Sequence, residues 1–394
     1  MDRAWDFIWN CLYDDRTGMF YNHLADDAVK ASDYLPSPEM IGRLVPNPAG
    51  YGTSMEDCML NAGLMMDAVV ARYEAENNGE MREYATGIYR GLMLGATVSD
   101  KCGFIPRGVS PVDCKSHYID TSRDQYTDWL YAVYRFYFSE LSSDGQKECI
   151  RGCITYVARM FENEVIPGND YNFLREDGKI GVAGKMWGNV APHEYLRLPM
   201  LYLLTWKITG DTHYKELYLT YRDQAIEGSR KFVPLTAPTY AALQMQYSMR
   251  VVYDLDDTPS VRSALLEIMS TLATPYENMA VDQANALMTE EGREWLEIPY
   301  TKWQSSKFRY AGYWGDMAYF IPEPSDFREH KSYYPLRTVG EGVVIAATCP
   351  SYEISPATLD TIIKMSRFVN YNKHKTCAPI ALLEAYWLCR RNRN

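Results

Sequence analysis

The chain has 394 residues, of which 47% are hydrophobic and 23% charged, with a formal net charge of −11. So much apolar side chain excludes global disorder. The acidic balance argues against nucleic acid as a partner, because the one basic cluster is a short tail at Arg390, Arg391 and Arg393.

In chain order, the sequence predicts two kinds of helix in alternation. A first helix over 3–12 precedes 54–72, which is apolar on most faces, and 80–98, which has a polar stripe. The same pairing returns at 121–141 and 144–163, at 192–208 and 211–231, and at 238–254 and 258–272. Further helices are expected over 276–296, 339–348, 356–370 and 377–390. A helix apolar all round is buried, and one with a polar stripe lies at the surface. Linkers from the first kind to the second are short, as at Asn77-Asn78-Gly79 and Thr209-Gly210-Asp211, which makes neighbours antiparallel. The return linkers 99–120 and 164–191 are long. All buried helices then run one way, and the long loops gather at the end where those helices begin. The expectation is an all-α fold, an (α/α)6 toroid of about twelve helices in six hairpins, with 1–394 as a single domain. An α-solenoid would show a repeat of about 34–47 residues with a recurring motif, and none is present. Two stretches resist helix: 35–52, with Pro36, Pro38, Pro46 and Pro48, and 299–337, with Pro322, Pro324, Pro335 and many aromatics.

Nine scattered cysteines show no paired C-x-x-C spacing. They read as small buried hydrophobes of a reducing compartment such as the cytoplasm, with Cys102 and Cys114 flanking one loop as a candidate pair. No run approaches the roughly 18 apolar residues of a membrane helix. The opening Met1-Asp2-Arg3-Ala4-Trp5 lacks the apolar stretch of a signal peptide, so a periplasmic location requires a trimmed leader.

The first turns of the buried helices share one end of the expected ring, so residues distant in sequence converge there. They offer Glu56 and Asp57, then Arg123, Asp124 and Gln125, then His193, Glu194 and Arg197. An acid in a first turn also serves the helix dipole and free N–H groups, but acids on three such helices in succession suggest chemistry. Paired carboxylates are what glycoside hydrolysis needs, one to protonate the leaving oxygen and one to activate water or attack the anomeric carbon. Asp124 and Glu194 are the expected acid/base pair, with Glu56 or Asp57 as a third carboxylate. Aromatics for stacking on sugars are Tyr118, Tyr126, Trp187, Tyr195, Trp303 and Trp314. Arg107 in the loop 103–108, with Arg123, Lys185 and Arg197, makes the cation cluster that a uronate carboxylate requires. His117 and His193 are candidate acid/base groups that could also bind substrate, and His193 and Gln125 are candidates for its hydroxyls. Metal-type His-x-x-x-His spacing and a Gly-rich phosphate loop are both missing, so neither metal nor cofactor is expected.

At these residues a resemblance enters. Ser54-Met55-Glu56-Asp57, the loop 103–108, Ser122-Arg123-Asp124-Gln125-Tyr126-Thr127, Pro192-His193-Glu194 and Arg197-Leu198-Pro199 occur in an order that resembles the six-hairpin glycosidases. More narrowly, with 373–380 and Glu384-Ala385-Tyr386-Trp387, the chain resembles the bacterial polysaccharide-utilisation enzymes around a β-glucuronidase family, glycoside hydrolase family 154. The resemblance runs over most of the chain. It implies hydrolysis of a terminal uronic acid, glucuronic or unsaturated uronyl, from an oligosaccharide without a cofactor. Two alternatives stand beside it. One is a polysaccharide lyase on the same fold, with Tyr or His as base and Arg or Asn neutralising the uronate. The other is a non-catalytic glycan-binding toroid. The expected partner is an oligosaccharide, with no nucleic acid and no membrane, and the choice between monomer and homo-oligomer stays open.

Overall fold

The computed structural model describes residues 1–300, 307–314, 317–323 and 333–392, and within 307–323 it describes the backbone. The fold is mostly helical. Helix α1 (Asp2–Phe7) runs on into a π turn (Ile8–Leu12), and α2 (Pro38–Gly42) is a single short helix. Next come α3 (Cys58–Glu76), α4 (Met81–Thr97), α5 (Arg123–Tyr137), α6 (Asp144–Glu164), α7 (Arg197–Thr209) and α8 (Thr212–Ser229). The series ends with α9 (Thr239–Leu255), α10 (Pro259–Leu287), α11 (Glu290–Leu296), α12 (Tyr334–Thr348), α13 (Pro356–Phe368) and α14 (Pro379–Arg391). Three antiparallel two-stranded ribbons stand among the described residues: β1 (Tyr13–Asp14) with β2 (Met19–Phe20), β3 (Asn172–Leu174) with β4 (Ile180–Lys185), and β5 (Lys307–Trp314) with β6 (Met317–Glu323).

The alternation of helix types has a direct physical outcome. Helices α3, α5, α7, α12 and α14 are buried on most faces, whereas α4, α6 and α8 bury one stripe. One cluster of apolar side chains joins them, with Trp5, Leu64, Trp129, Leu201, Met249, Val343 and Leu383 all in it. The short turns are locally encoded. Helix α7 stops at Gly210, whose φ of +77° suits glycine, and the Asp211 side chain caps α8 by accepting from the His213 N–H. Ser143 and Gln146 form a reciprocal capping box at the start of α6.

Several boundaries differ from expectation. Helix α3 begins at Cys58 because Ser54 has φ +77° and Asp57 is the N-cap, so Glu56 and Asp57 precede the helix. The stretch 192–208 is a 3-10 turn (Pro192–Glu194) followed by α7. The two helices expected over 258–272 and 276–296 are one long α10 with Pro275 inside it, followed by α11. The apolar face of Leu272, Ala273, Tyr276, Ala280 and Ala284 continues across that proline against α12. The stretch 299–337 holds the β5–β6 ribbon, and α12 starts early because Pro335 sits in its first turn, where a missing N–H costs nothing. All nine cysteines are free thiols, Cys102 and Cys114 included. Among the described residues no helix is long and apolar enough to cross a membrane.

The buried helices also carry charge. Tyr131 of α5 and Tyr247 of α9 stack at 3.7 Å. Tyr131 donates to Asp67 of α3 at 3.1 Å, Tyr247 donates to Glu384 of α14, and Arg135 donates to Asp67 at 2.5 Å. Burial and then the neighbouring Asp67 push the Glu384 carboxyl well above its ordinary range. Burial also pushes Asp67 up, but Arg135 and Arg391 outweigh it and hold Asp67 below the ordinary range.

These shifts predict a pH dependence. Glu384 keeps its proton longer in the folded chain than in the unfolded one. Its contribution to stability is therefore complete below the ordinary carboxyl range and declines as pH rises toward the folded value, by up to about 1.4 kcal/mol per pH unit. Asp67 has the opposite sign, and its contribution is lost only in acid. Glu384→Gln keeps groups that accept from Tyr247 and donate to Asp67 while removing the titration. Urea unfolding between about pH 5 and about pH 8 should show the variant losing stability less steeply than wild type. Parallel slopes would contradict the assignment.

Candidate active site

The start of α3, the start of α5 and the loop 103–108 meet at one point. Gly108 makes the meeting possible. A Cβ there would lie 2.6 Å from the Met55 carbonyl oxygen and 2.7 Å from Cys58 Sγ, so the loop can lie against α3 only without a side chain at that position. Tyr126 fastens the same loop from the other side, accepting from the Ile105 N–H and donating to the Gly103 carbonyl, both at 3.1 Å. Arg107 is thereby held in a buried position. Its Nη1 donates to the Glu56 carbonyl at 3.1 Å and lies 3.6 Å from Asp57 Oδ1, and its guanidinium sits 4.8 Å from the Tyr51 ring centroid. Asp57 also accepts from Gln125 at 3.1 Å and from Asn22 at 3.4 Å.

Beside this junction is a polar cavity of about 150 Å3, lined by Tyr51, Asp57, Leu60, Arg107, Asp124, Tyr240, Tyr334 and Arg337. Two carboxylates, two guanidiniums and three phenols face one small space. Asp124 accepts from Arg197 Nη1 at 2.7 Å. Burial pushes the Asp124 carboxyl up, but Arg197, then Arg123 and Arg107, outweigh it and hold it below its ordinary range. Arg337, on the first turn of α12, donates to Glu341 and to the Tyr333 hydroxyl, both at 2.5 Å, and lies 5.5 Å from the Tyr240 ring centroid. One turn below Asp124, burial raises the Asp128 carboxyl well above its ordinary range, and the charge of Asp124 adds to the effect. Asp120, just before α5, is pushed up to about 6 by burial, against the pull of Arg107 and Arg175.

The residues expected from sequence divide into two groups. Asp57, Asp124 and Arg107 line the cavity, and Gln125 supports Asp57 from behind. The others are elsewhere. Glu194 accepts from the Ala191 N–H at 3.0 Å and pairs with Arg123, with His193 Nε2 at 3.6 Å, so it serves the turn at 192–194. Burial lowers the His193 pKa, although Glu194 pulls the other way. Glu56 is fully buried with its carboxylate 3.6 Å from His23 Nε2, and its backbone carbonyl is what Arg107 and Gln125 bind. Arg197 is enclosed between Asp124 and Gln244. Tyr126 is buried against Phe161 and Phe173, on the face of α5 turned to α6. Trp187 is buried edge-on to Tyr195 and Tyr221. His117 bonds Glu176 at 3.1 Å, Tyr118 donates to the Val45 carbonyl at 2.5 Å, and Lys185 pairs with Asp170 at 2.7 Å. Trp303 lies outside the described residues, and Trp314 is described by its backbone alone.

Tyr51, Tyr240, Tyr334 and Arg337 are the cavity residues that sequence reasoning missed. Tyr240 and Arg337 stand in the first turns of buried helices, so the reasoning that found Asp124 applies to them as well. Among the described residues no group of three or more His, Cys, Asp or Glu is placed to hold a metal ion. Compared with known protein families and with curated proteins, the chain matches none.

The tight seat of Gly108 makes a prediction. Gly108→Ala forces the loop away from Met55 and Cys58 and moves Arg107 out of register with Asp57. Thermal unfolding should show a loss of about 1–3 kcal/mol, the usual range for overpacking. An unchanged midpoint would mean that the loop is not held there.

Proposed function

We propose that this chain is a glycoside hydrolase that removes a terminal uronic acid, glucuronic or unsaturated uronyl, from an oligosaccharide. We further propose that it does so on an (α/α)6 toroid of the six-hairpin glycosidase type, nearest to family 154. The packing of α3 on α5, α5 on α7, α7 on α9, α9 on α12, α12 on α14 and α14 back on α3 supports a closed inner ring. The observation that carries the activity is the cavity lining, where Asp57 and Asp124 share one small space with Arg107, Arg337 and three tyrosines.

The chemistry follows from those groups. Asp124, held below its ordinary range by its arginines, is suited to activate water or to attack the anomeric carbon, and Asp57 is the second carboxyl of the pair. Arg107 and Arg337 supply the positive charge that distinguishes a uronate from a neutral sugar. The rings of Tyr51, Tyr240 and Tyr334 give faces and hydroxyls for the sugar. Glu194, placed in the acid/base pair by sequence, gives way to Asp57 because it is absent from the cavity lining. The three tyrosines beside two arginines also suit a uronate lyase, in which a phenolate takes the proton next to the carboxylate.

Release of reducing sugar from aryl glycosides and uronic-acid oligosaccharides tests the proposal. Wild type should turn over uronosides. Asp57→Asn and Asp124→Asn should each lose roughly 10²–10⁴-fold in kcat. Glu194→Gln should keep most of the rate and lose stability instead. Arg337→Met should raise KM for uronosides while leaving neutral glycosides unaffected. Product absorbance from a new C=C bond would select the lyase. Silence on the whole panel with glycan binding intact by calorimetry would leave a binding toroid.

A further inference from the structure

Asp124 and Asp128 are four residues apart on α5, so their side chains share a face one turn apart. The first lines the cavity and the second lies beneath it, 1% exposed. Between them run two side chains from other helices. Arg197, the first residue of α7, gives Nη1 to Asp124 Oδ1 at 2.7 Å and Nη2 to Gln244 Oε1 at 2.8 Å. Gln244 of α9 gives Nε2 to Asp128 Oδ2 at 2.6 Å. Arg197 and Gln244 are each 1% exposed.

The direction of this chain is not arbitrary. A guanidinium has only donors, so the Gln244 oxygen must face Arg197 and its NH2 must face Asp128. Asp128 Oδ1 has no hydrogen-bond partner among the described residues. A carboxylate left in that state would be an uncompensated buried charge, and burial raises the Asp128 carboxyl well above its ordinary range. The result is a division of labour. Two carboxyls lie one turn apart, and the Arg197 guanidinium is hydrogen-bonded to the upper one while Gln244 serves the lower.

We infer that Arg197, Gln244 and Asp128 are positioning residues for Asp124, a buried hydrogen-bonded relay that aims its carboxylate into the cavity as the base of the proposed hydrolysis. The inference rests on the hydrolase reading for the word base, but the relay itself does not need turnover to be tested. Other groups face Asp124 as well. They are Arg123 on its own helix, Arg107 from the loop 103–108, Asp57 at the start of α3, and His193 and Glu194 from the turn before α7. Tyr51, Tyr240 of α9, and Tyr334 and Arg337 of α12 complete the set. Arg197 hydrogen-bonds Asp124 directly, at 2.7 Å.

The test is a titration of the Asp side chains by 13C carboxyl NMR on the full chain. In Gln244→Leu the Nη2 contact is lost and Arg197 is released. The Asp124 midpoint should then rise by about one pH unit, a tenfold loss of the anionic fraction at a given acid pH. Asp128→Asn should leave the midpoint where it is, because a neutral amide oxygen still accepts from Gln244. If Gln244→Leu does not fold, Arg197→Lys, with a single ammonium in place of the fork, should show the same rise. Should wild type hydrolyse a uronoside, the acid limb of its kcat/KM profile should move by the same amount in the relay variants and stay put in Asp128→Asn. An unmoved Asp124 titration in a folded relay variant overturns the relay, whatever the activity. A failure of wild type to hydrolyse any uronoside overturns the base role and leaves the titration to decide the positioning.

Discussion

The ion pair between Arg197 and Asp124 joins α7 to α5 at the rim of the cavity, and much of the structure is arranged around the problem it poses. Charges inside a helical core are expensive unless each is paired and hydrogen-bonded. Here Arg107, Arg197 and Arg337 are buried and Arg135 is half-buried, and each is held by a carboxylate from a buried helix or its N-terminal cap. Asp67, Asp57, Asp124 and Glu341 supply those partners. Two further buried acids, Asp128 and Glu384, have their carboxyls pushed well above the ordinary range by burial. A core of large apolar side chains is close-packed and resists displacement, so these pairs are fixed in place as firmly as the helices that bear them.

That arrangement explains why the cavity can be polar and still be well formed. Loop 103–108 reaches it only because Gly108 has no side chain, and Tyr126 pins the loop from behind. Asp57 is an N-cap position with no side-chain bond to its own helix, so its carboxylate is available to Arg107, Gln125 and Asn22. A carboxylate that does not cap its helix is free for another task, and the contrast with Glu194, which accepts from Ala191 N–H, is instructive.

Much of this was legible in the sequence. The buried helices were recognisable because α3 and α7 are apolar on most faces; Asp57 and Asp124 emerged from reading the turns where such helices begin, and Arg107 from the loop before α5. Glu194 lies outside the cavity lining, because an acid at the third position of a helical turn is also the natural partner of a free backbone N–H, and sequence cannot weigh the two uses. Tyr126 lies outside the cavity lining for another reason. On a helix that is apolar all round, the pattern does not say which face looks inward, and Tyr126 looks outward to Phe161 and Phe173. Tyr334 and Arg337 were hidden by Pro335, which reads as a helix breaker but stands where a helix accepts it. Arg197 was read as an arm for substrate, and the structure encloses it between Asp124 and Gln244, the latter distant in sequence.

The proposed hydrolase holds one uronic acid among Asp57, Asp124, Arg107 and Arg337. The most direct measurement is a crystal structure of Asp124→Asn soaked with a uronic-acid disaccharide. The account predicts the sugar carboxylate against Arg107 or Arg337, with the glycosidic oxygen between residues 57 and 124. A sugar bound with its carboxylate in solvent, or bound away from these residues, would contradict it.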